Sequence, residues 1–184
     1  MAVACEKIVT EQSIAPPPQD RPRMVAGAPE YELTTEWRIA APVSVVWPVI
    51  LAVEQWPAWW RGVMEVRKLQ SGNDDGVGAV YRQVWRSRLP YYVRFDVETT
   101  RVEREALLEG RARGDLDGRG TWYFQARAET TLLRYAWCVS ATRAWMRLLA
   151  PLARPLFAWN HDVIMGWGAQ GIARKLGTAV QYIG

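Results

Sequence analysis

Apolar and polar positions change their period along this chain, and the order of the changes predicts the architecture. Tyr31 to Ile39 alternates as a first strand. Pro42 stands where a helix favours its first residue, and Val43, Val46, Trp47, Ile50 and Leu51 follow at helical spacing. Glu54 to Trp60, around Pro57, adds one more turn. From Val63 the period becomes two, with strands expected at 63–70, 78–88, 92–103, 106–114, 119–128 and 131–142. They are separated by the turn signals Asn73-Asp74-Asp75-Gly76, Leu89-Pro90 and Asp115-Leu116-Asp117-Gly118. These connections are short, so neighbouring strands pair antiparallel. After Thr142, placed as an N-cap, the chain reads as helix to Leu176 with Gly177 as its stop. Pro151 and Pro155 are expected to break or kink that helix.

One strand, a short helical passage, about six strands and a closing helix make an α+β domain in which a curved antiparallel sheet grips a long helix. A sheet covers only one side of a helix, so the space between them tends to remain an apolar cavity. Alternation puts Trp122, Phe124 and Ala126 on one face, continued by Leu133, Tyr135, Trp137 and Val139, with Arg127, Arg134 and Ser140 opposite. Tyr81, Gln83 and Trp85 share one face of their strand and Val80 and Val84 the other, and the pattern leaves open which looks inward. On the closing helix, Phe157, His161, Ile164, Met165, Gly168 and Ile172 form one stripe, expected to lie over the sheet.

Composition narrows the picture. Residues 1–30 carry Pro16, Pro17, Pro18, Pro22 and Pro29 without an apolar period and read as a disordered leader before a single domain over 31–184. Eleven Trp against three Phe place wide rings inside the periodic segments, as walls with one N–H donor each. The net charge of +4 is spread along the chain with both signs mixed, so nucleic acid is not expected as a partner. Cys5 and Cys138, the only cysteines, argue against a disulfide framework or a thiolate metal site and fit a reducing cytoplasm. No run approaches 18 apolar residues, so no membrane span is expected.

Several local patterns in fixed order resemble the polyketide cyclase/dehydrase and lipid-transport superfamily, the START-related (SRPBCC-type) helix-grip proteins. They are Ala41-Pro42 with Val46-Trp47, Val53 to Trp60 (Val-Glu-Gln-Trp-Pro-Ala-Trp-Trp), Gly76-Val77-Gly78, Gly114, Gly118-Arg119-Gly120-Thr121-Trp122 and Trp159-Asn160-His161, within residues 31–177. The resemblance implies a helix-grip fold: seven strands around the C-terminal helix, two short helices after the first strand, and a cavity for lipids, polyketides or other hydrophobic molecules. It implies binders, transporters and enzymes alike, so the chemistry has to come from the site.

His161, the single histidine, excludes a His-rich metal site, and its stripe neighbours point it either at the cavity or into a structural contact. Gly166-Trp167-Gly168-Ala169-Gln170-Gly171 matches a dinucleotide fingerprint but lies inside the final helix, where small residues serve close packing instead. Asp115 and Asp117 bracket a turn and are assigned to turn chemistry. No serine nucleophile elbow is present. Ala144 to Trp159 is apolar almost all round, read either as a buried helix entry or as a lid or a surface that touches membrane.

The expected function is binding of a hydrophobic small molecule, lipid or polyketide-like, without cofactor or metal. Expected contacts are Gln83, Phe95, Trp122, Phe124, Tyr135, Trp137, His161 and Met165, with Trp59 and Trp60 near the entrance. The alternative is a cyclase or dehydratase using the same cavity, with His161, Tyr135 or Tyr81 transferring protons.

Overall fold

The computed structural model describes the backbone of residues 30–142 and 144–183, and the side chains of 31–142 and 155–183. The expected leader, Cys5 included and apart from the Glu30 backbone, lies outside the described residues. In chain order the elements are β1 (Glu30–Ile39), α1 (Val43–Leu51), a 3-10 turn (Val53–Gln55), α2 (Trp56–Trp59), β2 (Val63–Gln70), β3 (Val80–Arg86), β4 (Tyr92–Glu103), β5 (Leu107–Gly114), β6 (Leu116–Arg127), β7 (Thr130–Ala141), α3 (Ala144–Leu176) and β8 (Val180–Ile183).

The strands form one antiparallel sheet in the order β2-β3-β4-β5-β6-β7-β1-β8. Sequence neighbours pair from β2 to β7, as short connections dictate, and β1 then docks on β7 to carry the sheet back toward the start of the chain. The strand count is eight where the sequence pattern suggested seven. Gly177, at φ +62°, ends α3 and turns the chain back. Thr178 then donates its N–H to Ala173 O and its hydroxyl to Ala40 O, which brings Val180–Ile183 against the free edge of β1. Four residues are too few for a period to announce.

Helix α3 is continuous over 33 residues, through both Pro151 and Pro155, so the expected break does not occur. Proline's fixed φ lies in the helical range, and the residue forfeits a hydrogen bond without having to end the helix. The Thr142 hydroxyl donates to Gly114 O, tying the end of β7 to the β5–β6 corner.

The inner face of the sheet carries the alternating residues that the pattern grouped. Trp122 pairs across strands with Tyr135, and Gly120 with Trp137. On the outer face Arg134 bonds Glu36 at 2.7 Å, and Arg82 makes a two-pronged pair with Asp96. Met165, Ala169 and Ile172 of α3 are buried against the inner face, and Trp60 Nε1 donates to Ile164 O at 2.9 Å, pinning α2 to the helix. Buried apolar residues fall into two groups. One is centred on Trp37, Val46, Ile50, Trp60, Leu133 and Ile172, the other on Tyr31, Phe95, Ala112, Trp137 and Val139.

Candidate functional site

A cavity of about 190 Å³ lies between the inner face of the sheet and α3 and borders both groups of core residues. Its wall is an almost closed circuit of rings. Trp85 meets Trp60 at 5.2 Å between centroids, Trp60 meets Trp122 at 6.1 Å, and Trp122 stacks on Tyr135 at 4.2 Å. Tyr135 stacks on Trp137 at 5.7 Å, and Trp137 meets Phe95 at 5.9 Å. Phe95 pairs across strands with Gln83, whose Oε1 accepts the indole N–H of Trp85 at 2.9 Å and closes the circuit. Aromatic rings at these separations attract one another beyond the area they bury, so the wall is held by its own ring contacts.

The sequence makes room for this wall at Gly120. A Cβ there would fall 2.5 Å from the Tyr135 hydroxyl oxygen and 2.7 Å from the Trp137 ring. The Tyr135 hydroxyl bonds to none of the described residues, and burial pushes its pKa well above the usual phenol value, so it remains protonated. It offers the cavity a donor.

The α3 side of the cavity presents Phe157, Asn160, His161, Ile164 and Met165. Asn160 Oδ1 and both ring nitrogens of His161 are buried without a hydrogen bond. Asp162 Oδ1 stands 3.5 Å from His161 Nδ1 without hydrogen-bond geometry and accepts the Tyr182 hydroxyl instead. Burial lowers the His161 pKa, Asp162 opposes this, and the net shift is downward. The imidazole is neutral near pH 7 and carries one donor and one acceptor.

Of the residues singled out from the sequence, the structure brings Trp60, Tyr81, Gln83, Phe95, Trp122, Tyr135, Trp137, His161 and Met165 to the cavity wall. It resolves the facing of β3: Tyr81, Gln83 and Trp85 look inward. Two expected residues do not reach the wall. Trp59 stacks on Trp60 at 5.3 Å and borders a shallow surface groove with Gly171, Arg174 and Lys175. Phe124 lies beyond the end of the cavity, packed on Trp47 of α1 at 4.9 Å. Alternation specifies the face a strand residue occupies, but not its depth along the strand.

Wall residues that the sequence reading passed over include Leu33, Trp56, Tyr91, Val93 and Asn160. Trp56 could have been found from the three-ring cluster of 56–60, and Asn160 from its place beside His161.

The remaining motifs resolve as structure. Asp115 Oδ2 accepts the Arg94 N–H at the β5–β6 corner and Asp117 pairs with Arg111, so the two carboxylates hold the bend and form no catalytic pair. Gly168 and Gly171 are contact points of α3, and nothing there resembles a phosphate cradle. Among the described residues no three His, Cys, Asp or Glu side chains converge on a metal site, and no helix is long and apolar enough to cross a membrane. Of the segment 144–159, read either as a buried helix entry or as a lid or membrane-touching surface, Leu156 and Trp159 are exposed and Phe157 lines the cavity, whereas the side chains of 144–154 lie outside the described residues.

The family model described as "polyketide cyclase / dehydrase and lipid transport" matches residues 31–178. No curated protein sequence matches the chain significantly. Among solved structures, TTHA0849 of Thermus thermophilus superposes with a TM-score of 0.62 at 20% identity, over 74% of this chain and 93% of that one. The Zhui aromatase/cyclase of Streptomyces sp. R1128 gives 0.55 at 17% identity, over 76% and 94%. A START superfamily protein of Mycobacterium smegmatis gives 0.53 at 17% identity, over 73% and 96%. At these identities the likeness is one of fold.

Proposed function

The chain belongs to the polyketide cyclase/dehydrase and lipid transport family, and from that premise we propose that it binds a hydrophobic, ring-containing small molecule in the cavity between sheet and α3. The observation that carries this reading is the ring circuit around about 190 Å³ of space, which suits a flat apolar ligand of two or three fused rings better than an extended acyl chain. Shape and buried area supply the affinity, and the few polar groups on the wall orient the ligand. Native mass spectrometry of protein purified from its own host tests it directly, since a retained ligand reveals its own mass.

A defined probe tests the wall. Tetralin, a two-ring hydrocarbon, is expected to bind at least about tenfold more weakly to Trp137→Ala, and measurably more weakly to Tyr135→Ala, while Arg134→Ala binds it as wild type does. Arg134 is tied to Glu36 on the outer face. Calorimetric titration beside a denaturation curve for each variant separates binding from folding, and equal losses at all three positions would sink the reading.

A second reading has its own observation. Tyr135 and His161 both face the cavity with polar atoms that no described residue engages, so two proton-carrying groups stand ready beside a bound molecule. A cyclase or dehydratase needs such groups, and general acid-base catalysis is worth about 10²- to 10⁴-fold. On this reading ring closure or water loss in the natural ligand falls at least a hundredfold in a folded His161→Gln. Because burial lowers the His161 pKa, the neutral base persists below the pH at which a free imidazole protonates, and the acid limb of the rate profile lies below pH 6.5. Unchanged ligand recovered after incubation with wild type retires the enzyme and leaves the binder.

A further inference from the structure

Gln83 is the one member of the circuit that is not itself a ring. It is 4% exposed, on the central part of β3, between Phe95 on the neighbouring strand and Trp85 two residues on. Its amide orientation follows from chemistry. The Trp85 indole nitrogen can only donate, so the amide atom 2.9 Å away must be the oxygen. That commits Oε1 to Trp85 and turns Nε2 the other way. Nε2 donates to none of the described residues, while Gln83 lines the cavity. Its two N–H groups therefore open on the cavity, where an acceptor can meet them.

We infer that Gln83, locked by Trp85, reads a hydrogen-bond acceptor on the ligand, so that the natural ligand is a ring system bearing a carbonyl or comparable oxygen on the edge facing β3. The inference rests on the cavity-binding reading and deepens it by naming the ligand's chemical class. Neighbouring wall residues agree with the placement. Beside it on β4 the wall residues Val93, Phe95 and Val97 are apolar, whereas the hydroxyls of Tyr81, Thr99 and Tyr135 reach the wall at other positions. Trp85 is thereby a positioning residue: it holds the amide, and its ring packs against Trp60 and Trp56.

The test uses two probes that differ by one group, α-tetralone, a ketone, and tetralin, in which that carbonyl is a methylene. In water the ketone is the better solvated of the two, so a cavity with no donor would favour the hydrocarbon. Gln83→Leu is expected to lower the ratio of ketone affinity to tetralin affinity at least about tenfold relative to wild type. Trp85→Phe, which keeps the amide and frees it to rotate, is expected to weaken the ketone more than tetralin, so that the ratio of the two affinities falls toward that of Gln83→Leu. The infrared carbonyl band of the ketone bound to wild type is expected to move to lower frequency than in an alkane solvent. If neither probe binds wild type, the cavity reading fails and this inference with it. If both bind, but the bound carbonyl band is unshifted or Gln83→Leu weakens both probes alike, only the inference about Gln83 is overturned. Because Tyr135 and His161 also carry donors, the shift is assigned to Gln83 by its loss in Gln83→Leu, or by its reduction in Trp85→Phe if Gln83→Leu does not fold, and a shift that persists unchanged in the folded variant overturns the inference.

Discussion

Trp60→Ala is expected to destabilise the protein by about 3 to 5 kcal/mol, measured by denaturant unfolding, which is a large part of the stability a domain of this size has. Trp60 is 1% exposed and sits where three parts of the molecule meet. Its ring contacts Trp56 and Trp59 of α2, Trp85 of β3, Trp37 of β1 and Trp122 of β6 at centroid distances between 5.2 and 6.1 Å. Its N–H reaches Ile164 O on α3. Deleting the ring leaves a void bounded by these other tryptophans, and rings that size cannot collapse into it without leaving their own contacts. Trp60→Phe separates the two contributions, because it keeps most of the packing and loses the hydrogen bond. It is expected to cost about 1 to 2 kcal/mol. A loss under about 1 kcal/mol in Trp60→Ala would mean that the cluster is not the centre of the core.

The three glycines of α3 are expected to respond to alanine with opposite signs. A Cβ on Gly168 would stand 2.5 Å from the Trp60 ring and 2.8 Å from the Trp37 ring, and one on Gly171 would stand 2.0 Å from the backbone oxygen of Trp59. Neither ring can swing aside in a packed cluster, and a backbone oxygen moves only with the whole of α2. Gly168→Ala and Gly171→Ala are therefore expected to destabilise by about 3 kcal/mol, at the upper end of the usual cost of overpacking, with Gly171→Ala the worse. Nothing lies within 4 Å of a Cβ on Gly166. There the helix gains propensity at no steric cost, so Gly166→Ala is expected to stabilise by about 1 kcal/mol. Thermal melts of the three variants check the pattern, and the same sign at all three positions would contradict the close approach of α3 to α2. The same pair of contacts explains why a dinucleotide-like glycine spacing occurs in a helix that holds no dinucleotide.

The sequence pattern and the structure agree where a local rule was enough. Period-two alternation from Val63 to Thr142 located β2 to β7, because most inward side chains are apolar where a sheet faces a core. Short connections then made the pairing antiparallel. The stripe through Phe157, His161, Ile164 and Met165 identified the face of α3 that meets the cavity. Phe124 and Trp59 mark where local rules stop. Both are buried aromatics on or beside the correct face, and both miss the wall, because where the cavity ends depends on how α1 and α2 fold across the end of the sheet.

By itself the sequence determined the order of elements, the inner faces of β6 and β7, the helical stripe and the family resemblance, all of which follow from residue type and spacing within one element. It could not choose the inner face of β3, since Tyr81, Gln83 and Trp85 alternate with Val80 and Val84 and either set could be buried. The tertiary structure chose by placing Trp60 against Trp85, a contact between residues of different elements that no period records. It alone added β8, because a four-residue strand exists only where β1 offers it an edge. It carried α3 through two prolines. It also left the Gln83 amide, the Tyr135 hydroxyl and the His161 imidazole facing one space, and that convergence of three separate elements, β3, β7 and α3, is a property of packing and not of any one segment.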